Sequence, residues 1–250
     1  MLHLTQALPP GALIGAEAEA LAATLPATNA IWFRAVEASI LREGGKITGW
    51  QDSTATCRAV PTEQNTGNSR FDPATPAAFL CQTTTHCGFV LDAPLRDGRC
   101  FSAAVIYTSP KGEARTLLSL STGQTNNLIF LSESEGHLVA MDRASTVVVS
   151  LPVPPGHHPP RLAIISFTGR DLSLSFQGNT VTATGRVPAM DTPAEVFIGC
   201  RSNRPGLTKT LGQSRLHDVL IWPDRAVLAP NEPADLAALA ALHRYHRWVY

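Results

Sequence analysis

Between residues 101 and 184 the chain breaks into short runs of alternating apolar and polar residues, each closed by Gly, Asn, Asp or Ser, and this rhythm narrows the possible folds most. In "CFSAAVIYTS", Phe101, Ala103, Val105 and Tyr107 fall on one face, the period-two pattern of a half-buried strand. "RTLLSLST", "NNLIFLSES", "HLVAMDR" and "TVVVSLP" follow, separated by "TGQT", "EG" and "AS". Connections this short join antiparallel neighbours, whereas a parallel crossover needs roughly a dozen residues or more. "RLAIISFTGRDLSLSFQGNTVTATGRV" continues the pattern, with "TGRD" and "QGN" placed as hairpin turns, and "AEVFIGC" and "RLHDVLIWPD" supply two further strands. The expected fold is all-β, an antiparallel sandwich.

The two ends of the chain read differently. Prolines at 9, 10 and 26 bracket an alanine-rich stretch, so residues 1–28 are expected to form either an attachment arm or a short helix packed on a domain spanning 29–250. At the other end, "APNEPADLAALAALHRYHRWVY" predicts one closing helix, with Asn231 as its cap, Pro233 in its first turn, and Leu236, Leu239, Leu242 and Tyr245 at helical spacing.

Composition excludes several classes of function. Twenty basic and twenty acidic residues cancel, so no global field steers the chain to nucleic acid or anionic lipid. No apolar run approaches the roughly twenty residues of a membrane span. The first thirty residues hold no Lys or Arg, and Glu17 and Glu19 interrupt their apolar run, so no secretion signal is expected and synthesis is placed in the cytoplasm. Five cysteines occur without a C-x-x-C pair, which argues against a zinc knuckle and for buried thiols; whether Cys81 and Cys87 pair stays open.

The order of these pieces resembles the laminin G-like jelly rolls of the concanavalin A-like lectin and glucanase superfamily. The resemblance is carried by "IWFRAVEAS", "GGKITGWQDST", "CGFVLDAPL", "FSAAVIYTS", the hairpin "LAIISFTGRDLSLSFQGNTV" and the ending "GQSRLHDVLIWPDRAVLAPNEPADLAALAALHRYH", over residues 30 to 247. It implies an all-β, concanavalin A-like antiparallel jelly-roll sandwich with a short N-terminal arm and a C-terminal helix. Two departures concern loops: "CRAVPTEQNTGNSRFD" lacks the family's glycine-rich "GNG", and "FQGN" replaces an aromatic followed by Asp-Gly. Trp50, taken alone, is either a sugar-stacking platform or a core residue; the resemblance places it at a strand end inside the sandwich, with Asp52 and Ser53 opening the next turn.

The superfamily includes glucanases, whose chemistry needs paired carboxylates. A retaining glycosidase needs two carboxyl groups about 5 to 5.5 Å apart. The densest acidic run, "SESEGH", offers Glu133 and Glu135 with no third carboxylate after them, and its polar flanks predict a solvated turn. The adjacent His157 and His158 point opposite ways on an extended loop, His86 beside Cys87 sits in a strand-like segment, and His243 and His246 lack the H-E-x-x-H spacing. Asp52, Asp72 and Asp92 are too scattered to predict calcium, so no metal or other cofactor is expected.

For ligand binding, "CRSNRPGLTKTLGQ" crowds Arg201, Asn203, Arg204 and Lys209 between two strands, donors suited to the carboxylates of an acidic polysaccharide. A second candidate, "EQNTGNSR", offers Gln64, Asn65, Asn68 and Arg70; each loop is equally readable as a solvated connection. The leading expectation is a non-catalytic carbohydrate-binding domain that recognises host surface polysaccharide. The resemblance further suggests a spike or fibre of a bacteriophage-like particle, a homo-oligomer anchored through residues 1–28 to other particle proteins. A structural decoration protein without glycan binding is the alternative, and a glycoside hydrolase the least supported.

Overall fold

The computed structural model describes residues 24–62, 70–82, 88–123, 127–156, 159–185, 187–190, 193–203 and 211–250. The strands in its first half are β1 (Ile31–Arg34), β2 (Ile40–Glu43), β3 (Lys46–Gln51), β4 (Arg58–Pro61), β5 (Arg70–Asp72), β6 (Ala78–Gln82), β7 (Phe89–Leu91) and β8 (Phe101–Thr108). Then come β9 (Leu118–Ser121), β10 (Leu128–Ser134), β11 (His137–Asp142), β12 (Val147–Pro152) and β13 (Arg161–Phe167). The last are β14 (Asp171–Phe176), β15 (Asn179–Thr184), β16 (Glu195–Ile198) and β17 (Gln213–Trp222), followed by helix α1 (Pro233–Val249).

Among the described residues these strands form two antiparallel sheets, the expected all-β sandwich. One runs β15-β14-β13-β8-β17-β6-β5, with β1 also paired to β17; the other runs β12-β11-β10-β9-β16-β7-β4-β3-β2. β17 organises the first sheet: its start pairs with β6 and its end lies between β1 and β8. The β14–β15 hairpin turns on Gln177 and Gly178, both at positive φ, the handedness that a two-residue hairpin requires.

Between the sheets lies the main core, where Trp50 packs 4.6 Å from Phe79 and contacts Phe33 and Phe89. Trp50 is fully buried and its indole N–H donates to the Arg34 carbonyl at 2.9 Å, so the core reading of this residue holds. Asp52 opens the following turn: its carboxylate accepts from the backbone N–H of Thr54 and Cys57.

A second core covers the outer face of the first sheet. Trp32, Ala104, Ile106, Ile164, Leu220 and Trp222 pack against Ala238, Leu242 and Tyr245 of α1, with Leu25 joining from just before β1. This corrects the half-buried pattern expected for "CFSAAVIYTS": β8 is buried on both faces, because the helix lies over Ala104 and Ile106. Two details of α1 also differ. The cap is Glu232, not Asn231: its side chain takes the N–H at the third helical position, and Asp235 there reaches back to the Glu232 N–H in a capping box. Asn231 instead donates its own N–H to Asp235. The buried stripe is Asp235, Ala238, Leu242 and Tyr245, leaving Leu236 57% exposed.

A single buried carboxylate ties α1 to the sheet. Asp218 accepts from the Trp32 indole at 3.0 Å and from the Tyr245 and Tyr250 hydroxyls at 3.0 and 2.6 Å. Burial pushes its carboxyl above the usual range, and the Tyr250 hydrogen bond and the Arg34 charge oppose that rise. Asp218→Ala leaves two buried donors and the part-buried Tyr250 hydroxyl without their acceptor, each worth about 1 to 3 kcal/mol. Urea unfolding is expected to show a loss of at least about 3 kcal/mol, against about 1 kcal/mol for Tyr250→Phe, which removes one donor and no acceptor.

Candidate functional site

One end of the sandwich is formed where β8 ends and β13 begins. There the segments 109–117, 153–156 and 159–160 and the β10–β11 turn stand around an open groove. Two cavities make it up, of about 610 and 520 Å³, which share Ser109, Pro110, Gly156 and Arg161 in their lining. The larger is rimmed by Lys111, Glu113, Arg115 and Glu135, all exposed; the smaller runs on toward Thr108, Arg215 and His217.

The floor is a buried ion pair that joins the two sheets. Glu133, on β10, accepts from the Arg161 guanidinium and from the Tyr107 hydroxyl, both at 2.6 Å, while Arg161 and Tyr107 face each other across the β13–β8 ladder. The side chains of Glu133 and Arg161 are 1% and 7% exposed. Burial and the Glu133 charge hold the Tyr107 phenol well above its usual range, so it stays a hydrogen-bond donor. The solvated turn expected for "SESEGH" therefore applies to Glu135, which sits in the turn at positive φ, and not to Glu133. The alternation of β10 turns Glu133 inward, and two donors from the opposite sheet make a carboxylate tenable there.

The walls are fixed by backbone bonds. The Glu133 N–H donates to the Ala114 carbonyl at 2.8 Å, and the Gln213 N–H to the Glu113 carbonyl at 2.8 Å. Gly212 makes the second contact possible: at φ +70, a Cβ there would lie 2.2 Å from the Glu113 carbonyl oxygen and 2.4 Å from the Arg115 nitrogen. On the far side, His246 of α1 donates its Nε2–H to the Pro160 carbonyl at 2.8 Å and tethers that end of the wall to the helix. His217 donates Nδ1–H to the Ala77 carbonyl at 2.8 Å, and burial pushes it down to about 4, so it is neutral at physiological pH. Arg215 pairs with Asp72 at 2.7 Å and joins β17 to β5.

Of the residues singled out in sequence, the structure places Arg201 and Asn203 just after β16, beside the segment that carries the groove's rim. The Arg201 guanidinium lies 3.7 Å from the centre of the Phe130 ring and donates to Thr116 Oγ1 at 3.2 Å and to the Arg115 carbonyl at 3.4 Å. Burial and the charge of Arg115 both lower its pKa. Arg70 is exposed on β5, in the other sheet, and is not brought together with them. Gln64, Asn65, Asn68, Arg204 and Lys209 lie outside the described residues, as do His86, Cys87, His157 and His158. Cys81 is buried. Among the described residues no three His, Cys, Asp or Glu side chains converge as a metal site requires.

Sequence reasoning missed Tyr107, Arg161 and the rim residues Lys111, Glu113 and Arg115. One signal was present: Arg161 opens the otherwise apolar run "RLAIISF", and a charge heading a fully buried strand needs a counter-charge nearby.

No family model matches the chain, and no curated protein matches it. Its fold is similar to solved β-sandwich-containing structures at low identity. One is Trypanosoma rangeli sialidase in complex with sialic acid, with TM-score 0.54 and 13% identity over 85% of this chain and 32% of that one. Another is the binding domain of botulinum neurotoxin DC in complex with SialylT, with TM-score 0.51 and 10% identity over 81% and 50%. A third is domain 4 of AbnA, an extracellular arabinanase of Geobacillus stearothermophilus in complex with arabinotriose, with TM-score 0.53 and 13% identity over 70% and 87%. The chain thus spans about a third of the sialidase's length.

Removing one member of a buried ion pair costs about 3 to 5 kcal/mol because its partner is left charged and unpaired. Glu133→Gln keeps the shape and removes the charge, and chemical denaturation is expected to show a loss of that size. A loss below about 1 kcal/mol, the range of an exposed pair, would contradict the buried bridge.

Proposed function

We propose that this chain is a non-catalytic carbohydrate-binding domain that holds a polysaccharide along the groove between residues 109–115 on one side and 153–156 and 159–161 on the other. The carrying observation is the groove itself: open along its length, rigid at its floor, and rimmed by alternating donors and acceptors in Lys111, Glu113, Arg115 and Glu135. A sugar chain presents hydroxyls of both kinds on every unit, and such a rim meets them without closing over them. The similar folds support the reading, since those structures are complexes with sialic acid, SialylT and arabinotriose.

The non-catalytic part rests on Glu133. Both of its oxygens are engaged, one by Arg161 and one by Tyr107, and the side chain is 1% exposed. A glycosidase nucleophile or acid must reach the glycosidic bond. This carboxylate instead holds the sheets together. In this account the polysaccharide is a cell-surface one, met by a spike or fibre of a phage-like particle to which residues 1–28 attach the domain.

Calorimetric titration against a panel of bacterial surface polysaccharides tests the assignment. Lys111→Ala and Glu113→Ala, both at exposed rim positions, are each expected to weaken binding about tenfold, the loss of one to two hydrogen bonds to the ligand. Unchanged affinity in both variants would move the site elsewhere, and a blank panel with wild-type protein would overturn glycan binding.

A further inference from the structure

His217 is the extra residue of a bulge in β17. Leu216 pairs with Tyr107 and Asp218 with Ile106 on the neighbouring β8, so His217 is left over between them, the kind of irregularity that re-aims a side chain. Its ring lies 5.4 Å from that of Tyr250 and lines the smaller cavity. A carbonyl only accepts, so the 2.8 Å contact with Ala77 puts the proton of the neutral ring on Nδ1 and makes Nε2 an acceptor. Thr108 Oγ1, 3.5 Å from Nε2, is then the donor of that pair, and Ser109 Oγ donates to the Gln213 carbonyl at 3.4 Å. Both hydroxyls line the cavity, and with their hydrogens directed into the protein they offer their oxygens as acceptors to whatever enters. Donors come from two arginines. A guanidinium carries five N–H groups. Arg161 gives Nη1 to Glu133, and Arg215 gives Nη2 to Asp72. Among the described residues the Ser214 hydroxyl is the one buried side-chain polar group without a partner, so the arginine nitrogens outside these pairs open to the cavity that both residues line.

We propose that the smaller cavity is the subsite that selects the sugar, and that it takes one neutral unit whose hydroxyls accept from Arg161 and Arg215 and donate to Thr108 and Ser109. This rests on the glycan-binding reading above and adds the class of sugar and the residues that choose it. A hydroxyl is donor and acceptor at once, and so fits between arginine N–H groups and hydroxyl oxygens. A carboxylate only accepts: it would set its oxygens against those of Thr108 and Ser109, and both arginine charges are already met by Glu133 and Asp72. Pro76, Pro159 and Pro160 line the same cavity and give apolar surface for the C–H face of a sugar ring. His217, 1% exposed, is a positioning residue: it acts through Thr108, whose hydrogen it draws inward. Arg161 lines both cavities, so the unit held here is continuous with a chain lying in the larger one.

The test is a binding comparison of neutral dextran, levan and arabinan with acidic alginate, hyaluronan and polygalacturonate, using the wild-type chain, Thr108→Val, Thr108→Ser, His217→Phe and the double variant of Thr108→Val with His217→Phe. At least one neutral polymer is expected to bind, and more tightly than any acidic one. Thr108→Val keeps the shape and removes the hydroxyl; it is expected to weaken the neutral polymer about tenfold, the loss of one hydrogen bond with the sugar's donor left unmet, and Thr108→Ser to restore it. His217→Phe keeps a ring beside Tyr250 and removes the acceptor. It is expected to weaken the same polymer less than Thr108→Val does, and the double variant to bind no worse than Thr108→Val alone, a coupling that a general loss of structure would not produce. Losses that multiply in the double variant overturn the role of His217. Preference for an acidic polymer, or undiminished binding by Thr108→Val, overturns the neutral subsite and leaves glycan binding standing. No binding to any polymer overturns both.

Discussion

An ion pair placed between two sheets sets the conditions for everything at the groove end of this molecule. Glu133 belongs to one sheet, Arg161 and Tyr107 to the other, and their two 2.6 Å contacts cross the space between them. Withdrawing two charges from water costs several kcal/mol per ion, so the arrangement is tenable only because each charge finds the other at short range. Its worth lies in specificity of geometry more than in net stability. The walls of the groove are attached to the sheet ends that this pair joins.

The walls inherit this rigidity through the backbone. Segment 113–117 is stitched to β10 by the Glu133 and Leu117 N–H groups and to the start of β17 by Gln213, with Gly212 allowing the close approach. The opposite wall is held from outside the sandwich: α1 is fastened by Asp218 to β1 and β17, and its His246 reaches the Pro160 carbonyl. The closing helix therefore serves two purposes, covering the outer face of the first sheet and positioning one side of the groove. Arg201, stacked on Phe130, carries the same frame over to the second sheet's outer surface.

Strands and their turns were legible in the sequence because alternation and turn residues act locally. "CFSAAVIYTS", "RLAIISF" and the "QGN" hairpin lie where their patterns put them, and Trp50 is the core residue that its strand position implied. What escaped depends on partners distant in the chain. Ala104 and Ile106 gain an apolar cover from a helix more than a hundred residues later, so alternation alone made β8 half-buried. Glu133 reads as a polar turn residue until Arg161 is brought opposite; the charge heading "RLAIISF" signals that a counter-charge is needed, but nothing local names Glu133 as its source. The Arg201 loop was legible as a crowd of donors, but its stacking on Phe130 and its closeness to Arg115 arise only from the pairing of β16 with β9.

The central claim is that the end of the sandwich built on Glu133 and Arg161 is the surface that meets the glycan. Backbone hydrogen–deuterium exchange, with and without saturating polysaccharide, examines it most directly, because it reports on every described segment at once. Slower exchange is expected in residues 109–117, 134–136, 153–156 and 159–160, with the opposite end around residues 93–100 unchanged. Protection confined to that opposite end, or to the outer face of α1, would contradict it.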